Sequence, residues 1–120
     1  MFRPNSAPAL ASAVKELVAL DQSGILCPFA VRGGGHTAWA GSANIDGGVT
    51  IDLRSLNWVT TDTPGVVAVG AGAKWGDVYG ALALKNLTVV GGRISSVGVA
   101  GLTLGGEFTS RAFMRALVLQ

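Results

Sequence analysis

The chain has 120 residues, a formal net charge of +2, 49% hydrophobic residues and only 13% charged ones. That length sets one domain at most, and the charges, spread without a basic cluster, leave no electrostatic footprint for nucleic acid. Average globular chains carry about 25% charged residues; so few here imply a piece that packs against a second domain, a large cofactor, or both.

The opening residues, Met1-Phe2-Arg3-Pro4 with Asn5, Ser6 and Pro8, lack the basic-then-apolar layout of a signal peptide. A helix is predicted over residues 8–21. Leu10, Val14, Leu17, Val18 and Leu20 fall largely at helical spacing, Lys15 and Glu16 face away, Ser6 is a suitable N-cap and Gly24 a terminator. Residues 25–31 are predicted as a buried strand, which makes helix plus strand half of a βαβ unit whose first strand is missing. Cys27, in that run, is the single cysteine, so no intrachain disulfide forms.

Arg32-Gly33-Gly34-Gly35-His36-Thr37 follows directly and holds the chain's only histidine. Consecutive glycines let a backbone take φ > 0 and press its N–H groups against a bulky anion. Arg32 adds a fixed charge at the entrance of this loop, and His36 a nitrogen nucleophile at its exit. Taken alone, the hexapeptide reads more readily as a tight turn with a structural histidine. The P-loop pattern is absent, and a dinucleotide fingerprint is imperfect because Ala38 stands where its third glycine belongs.

Beyond the turn at Gly47-Gly48, Val49-Thr50-Ile51-Asp52-Leu53 alternates as a strand. Residues 59–62 and 66–69, joined at Thr63-Pro64-Gly65, read as a β-hairpin. A second helix is expected over residues 74–85, with Asp77 near its positive end, then a short strand at Thr88-Val89-Val90. Residues 91–106 form a second glycine-rich stretch, able to lie flat against a planar ligand or to serve as an edge strand and turn. No apolar stretch approaches the ~18 residues of a membrane span, so a soluble domain is expected. The fold class is α+β, strands mixed with two main helices. Two glycine-rich loops, each after a strand, favour one extended ligand held from both sides.

With both loops in view, the chain resembles the FAD-binding domain of the p-cresol methylhydroxylase / vanillyl-alcohol oxidase (PCMH) type. Within it, the resemblance is to oxidases similar to berberine bridge enzyme. The matching elements are Pro28-Phe29-Ala30-Val31 with the loop through Thr37, Gly48-Val49-Thr50-Ile51-Asp52-Leu53-Arg54, Val69-Gly70-Ala71-Gly72, Trp75-Gly76-Asp77-Val78, and residues 91–106. They run in the family's order and are strongest over residues 25–106. The expected organisation is a partial FAD-binding domain over residues 1–106 and a divergent, amphipathic tail over residues 107–120.

The resemblance implies FAD as cofactor, its pyrophosphate on the backbone from Arg32 to Gly35, and a covalent flavin link through His36. Some relatives add a second bond from a cysteine in the second loop; Ile94 stands there, so a single link is expected. Cofactor-binding positions are then Arg32, Gly33, Gly34, Gly35, His36, Thr37, Gly41, Gly92, Ser96, Val97, Gly98 and Gly101, with Gly34 expected at φ > 0. No catalytic base and no metal site is expected within these residues. The implied function is that of an FAD-linked oxidase passing substrate hydride to flavin and electrons to O2, its small-molecule substrate bound only in a full-length context. Alternatives are a truncated, non-catalytic flavin-binding fragment or an interaction module.

Overall fold

A computed structural model describes residues 1–106 and the strand at residues 117–119. The first helix, α1 (Ala7–Gln22), starts at Ser6, whose side chain accepts from the Ala9 N–H at 3.4 Å; Pro8 sits in the first turn, where a missing N–H costs nothing. It stops before Gly24, at φ +85°, whose N–H returns to the Asp21 carbonyl. Leu10, Val14 and Leu17 form a stripe that packs on Ile51, Leu53 and Leu56, while Val18 and Leu20 stay exposed.

Strand β1 (Phe29–Arg32) pairs in parallel with β2 (Val49–Asp52), Phe29 opposite Val49 and Arg32 opposite Asp52. The ladder opens with the Val49 N–H donating to the Pro28 carbonyl, 2.9 Å, so residues 25–27 lie outside the strand expected there. Nor is β1 buried: Val31 is 48% exposed. The opposite edge of β2 is occupied by Phe2, whose N–H donates to Thr50 and whose carbonyl accepts from Asp52, both at 2.8 Å. The strand expected to be missing ahead of α1 is therefore present as a single-residue parallel bridge.

Asp52, fully buried at the end of β2, caps a 3-10 turn (Leu53–Ser55). Its Oδ1 accepts from the backbone N–H and Nε of Arg54, each at 3.1 Å. Its Oδ2 stands 2.9 Å from Arg54 Nη2 and 3.8 Å from Arg3 Nη2, ion pairs without hydrogen-bond geometry. Burial pushes this carboxyl up, but the Arg54 hydrogen bonds and the charges of Arg54 and Arg3 outweigh it and hold the acid below its ordinary value.

The hairpin forms as expected, with shorter strands: β3 (Val59–Thr60) pairs antiparallel with β4 (Val67–Val69). The Val66 N–H closes its turn on the Thr63 carbonyl and Gly65 takes φ +75°. Helix α2 (Trp75–Ala83) follows, Asp77 accepting from the Lys74 N–H at 3.1 Å. Trp75, Val78 and Leu82 face a core with Val69, Ala73 and Val99. Burying an indole removes roughly 150–250 Å² from water, about 4–6 kcal/mol of gross stabilisation at ~25 cal/mol/Å², so Trp75, 2% exposed, anchors this half.

Two expectations fail in the last third. Thr88-Val89-Val90 pairs with no strand among the described residues; Val89 packs on the core instead. The second glycine-rich stretch is not flat throughout, since residues 99–105 form a third helix, α3 (Val99–Gly105), anchored by fully buried Val99. Residues 107–116 and 120, most of the expected amphipathic tail, lie outside the described residues; β5 (Leu117–Leu119) runs parallel to β4. Helices and small mixed sheets make the α+β class that was expected. Among the described residues no helix is long and apolar enough to cross a membrane.

Candidate functional site

The end of β1 and the start of α3 meet along one line. Gly34 and Gly98 lie backbone against backbone: a Cβ on Gly34 would run into the Gly98 nitrogen and come 2.7 Å from its Cα, and a Cβ on Gly98 would meet Gly34 likewise. Any side chain at either position would force the two loops apart. The second loop is held there by α2, with the Trp75 N–H donating to Val97, Gly76 to Ser95, and Val99 to Ala73, at 2.9–3.0 Å.

Between them opens a cleft of about 420 Å³, within the range of small-molecule and cofactor sites. Gly33, Gly34, Gly35, His36 and Thr37 line one wall, Val97, Gly98 and Gly101 the other. The backbone N–H groups of Gly33 through Thr37 donate to no carbonyl or side chain among the described residues. Adjacent amides without protein partners are free to donate to water or to a bound anion. The wall is also polar beyond the loop: Ser42 Oγ donates to Thr37 Oγ1 at 3.2 Å, and the Trp39 N–H donates to the same oxygen at 3.4 Å.

Four expected positions fall outside the cleft lining. Arg32 does not line the cleft and bonds Asn44 instead. Gly41 takes φ +81° in the turn between Thr37 and Ser42, where it shapes the wall without lining it. Gly92 is a packing glycine: its Cβ would stand 2.7 Å from both Trp75 Nε1 and Leu102 Cδ2. Ser96 is exposed in the bend before Val97. The expected φ is also corrected: Gly35, at +65°, is the left-handed residue of the triple glycine, and Gly34 is excluded from carrying a side chain by Gly98 instead.

The cleft includes four residues that sequence reasoning passed over: Val31, Ser42, Ala43 and Leu102. Val31 was legible as the last apolar residue before the glycines. Leu102, three residues after Val99, was legible once residues 99–105 are taken as a helix. Ser42 and Ala43 carry no local signal; they arrive through the fold of the loop. Among the described residues no group of three or more His, Cys, Asp or Glu could hold a metal ion.

The chain matches the FAD binding domain family over residues 1–119. It is 56% identical over 81 residues to the FAD-dependent monooxygenase tpcD of Cochliobolus heterostrophus, covering 67% of this chain and 16% of that protein. To the FAD-dependent monooxygenase FUP4 of Fusarium proliferatum it is 54% identical over 92 residues, 76% of this chain and 18% of the relative. The chain thus spans less than a fifth of the length of these two relatives. Among solved structures, 6-hydroxy-D-nicotine oxidase from Arthrobacter nicotinovorans superposes with a TM-score of 0.71 at 35% identity, over 83% of this chain and 21% of that one. CrmK, a flavoenzyme of caerulomycin biosynthesis, superposes with a TM-score of 0.63 at 34% identity, over 82% and 19%. With the family match over residues 1–119 and relatives of this identity, the chain belongs to the FAD binding domain family.

Proposed function

We propose that these residues are the cofactor-binding portion of an FAD-linked oxidoreductase, with the FAD diphosphate on the amides of Gly33 through Thr37. The observation that carries this reading is the pairing of those unspent N–H groups with the Gly34–Gly98 approach, a contact that a single Cβ would force apart. When bound, FAD supplies a ring that accepts hydride from a substrate carbon and passes electrons to O2. The chain's own residues hold the diphosphate, present Val97, Gly98 and Gly101 as a low wall, and exclude water with Val31 and Leu102.

His36 is the residue we assign to a covalent flavin link. It is exposed at the end of the cradle and lines the cleft, and its imidazole is a competent nucleophile. Ile94, 56% exposed in the second loop, offers no second attachment. The test is acid precipitation of protein loaded with FAD: wild type should keep its yellow colour, and His36→Ala should lose it while still binding FAD reversibly. Flavin that stays with the denatured variant would remove His36 from this role.

A second reading is flavin binding without turnover by these 120 residues alone, as a truncated fragment or an interaction module. Trp39, Ile94 and Leu104 are 80%, 56% and 84% exposed, apolar surface of the kind that a covering partner buries. This reading expects no peroxide from the isolated chain over a panel of alcohols and sugars, and peroxide release would overturn it.

A further inference from the structure

We infer that Arg32 is a positioning residue that clasps the two halves of one cleft wall, rather than a cation that touches the bound anion. This inference rests on the cleft being the FAD site. Successive residues of a strand face opposite ways, and here Val31 lines the cleft while Arg32 does not. The guanidinium folds back onto the glycine loop. A Cβ on Gly35 would lie 2.7 Å from Arg32 Nε and 2.9 Å from Nη2, so the glycine leaves the room that the planar group fills. From there Nη1 donates to Asn44 Oδ1 at 3.2 Å.

Asn44 belongs to the segment that returns to the cleft after the turn, directly after Ser42 and Ala43. Its own N–H donates to the Gly41 carbonyl at 3.1 Å, and the Ser42 N–H to Trp39 at 3.3 Å. Residues 39–44 therefore form one hydrogen-bonded unit, and Arg32 ties that unit to the cradle. Among the described residues Arg32 faces no carboxylate within ion-pair distance, so the charge is not what holds it in place. The fit of a flat, forked group between Gly35 and Asn44 does so, and lysine has neither the plane nor the fork.

The experiment is a double-mutant cycle on the 120-residue chain, read by FAD titration and by amide hydrogen exchange of residues 33–44 without FAD. Arg32→Ala, Arg32→Lys and Asn44→Ala should each weaken FAD binding about fivefold, the scale of one modest hydrogen bond. Arg32→Ala combined with Asn44→Ala should be no weaker than either alone. Asn44→Asp, which keeps the acceptor, should recover most of what Asn44→Ala loses. Faster exchange across residues 33–44 should accompany every variant that breaks the clasp. Should wild type bind no FAD, the cofactor reading falls while exchange still judges the clasp. Additive losses, full retention in Arg32→Lys with a steep salt dependence, or unchanged exchange in Arg32→Ala would each overturn the clasp.

Discussion

The two glycine-rich stretches look alike as sequence and do different work. In the first, Gly33 meets nothing closer than the Ala71 carbonyl at 3.7 Å, and the loop's amides have no protein partner among the described residues. In the second, Gly91 and Gly92 are pressed onto the indole of Trp75, where added methyl groups would strike the ring. Gly98 then turns from packing to approach by meeting Gly34, and Gly101 has nothing within 4 Å. Glycine density therefore does not mark a ligand. What separates ligand approach from close packing is the atom that a Cβ would encounter.

That contrast is open to direct attack. The largest effect is expected from Gly92→Val, which drives a branched side chain into Trp75 and Leu102. It should remove about 3 kcal/mol or more, a large share of a small domain's stability, seen as a lower Tm and a weakened tryptophan near-ultraviolet CD signal. Gly34→Val comes next. Its target is the loop-to-loop approach, so FAD affinity should fall about a hundredfold, roughly 2.7 kcal/mol, well beyond the loss in Arg32→Lys. Wild-type affinity in Gly34→Val would refute the cradle.

Asp52 tests the floor beneath the first loop, because it ends the strand that β1 leans on. Its folded-state pKa is held below the ordinary value, so its contribution is complete above about pH 4 and fades as pH falls through that lowered value. Asp52→Asn should cost about 1–2 kcal/mol at pH 7, discounted because Arg3 and Arg54 are half exposed, and the variant's Tm should change less with pH below 4. A variant as acid-sensitive as wild type would show that Asp52 is not the group titrating. The smallest effect is the most diagnostic: Gly101→Ala should raise stability by about 0.5–1 kcal/mol, since a helix-interior glycine with open space gains from a methyl group. A simultaneous loss of FAD affinity would show that Gly101 is glycine for the ligand's sake.

Much of the frame was legible because local chemistry and global fold agreed. Alternation at Val49-Thr50-Ile51-Asp52 and the Thr63-Pro64-Gly65 turn each specify their element without help from afar. Helix α3 was hidden because Gly98, Gly101 and Gly105 argue against helix, and its support is tertiary: Val99 docks in the core, and Thr103 Oγ1 donates back to the Val99 carbonyl at 2.8 Å. The opposite error at Thr88-Val89-Val90 has the same origin, since β-propensity without a ladder partner makes no strand. In the site, the glycine loop and His36 were visible as residues. The role of Arg32 was not, because it depends on Asn44 returning through a turn.

The bridge between Phe2 and Ile51 also orders events in time. As the chain is synthesised, α1 can coil from local contacts alone, but Phe2 has no partner until nearly half the sequence has followed it. Closing so long a loop is slow and entropically expensive. Phe2 should therefore be among the last of these residues to settle, and a substitution at Phe2 that weakens the bridge should leave α1 coiled while loosening that edge of β2.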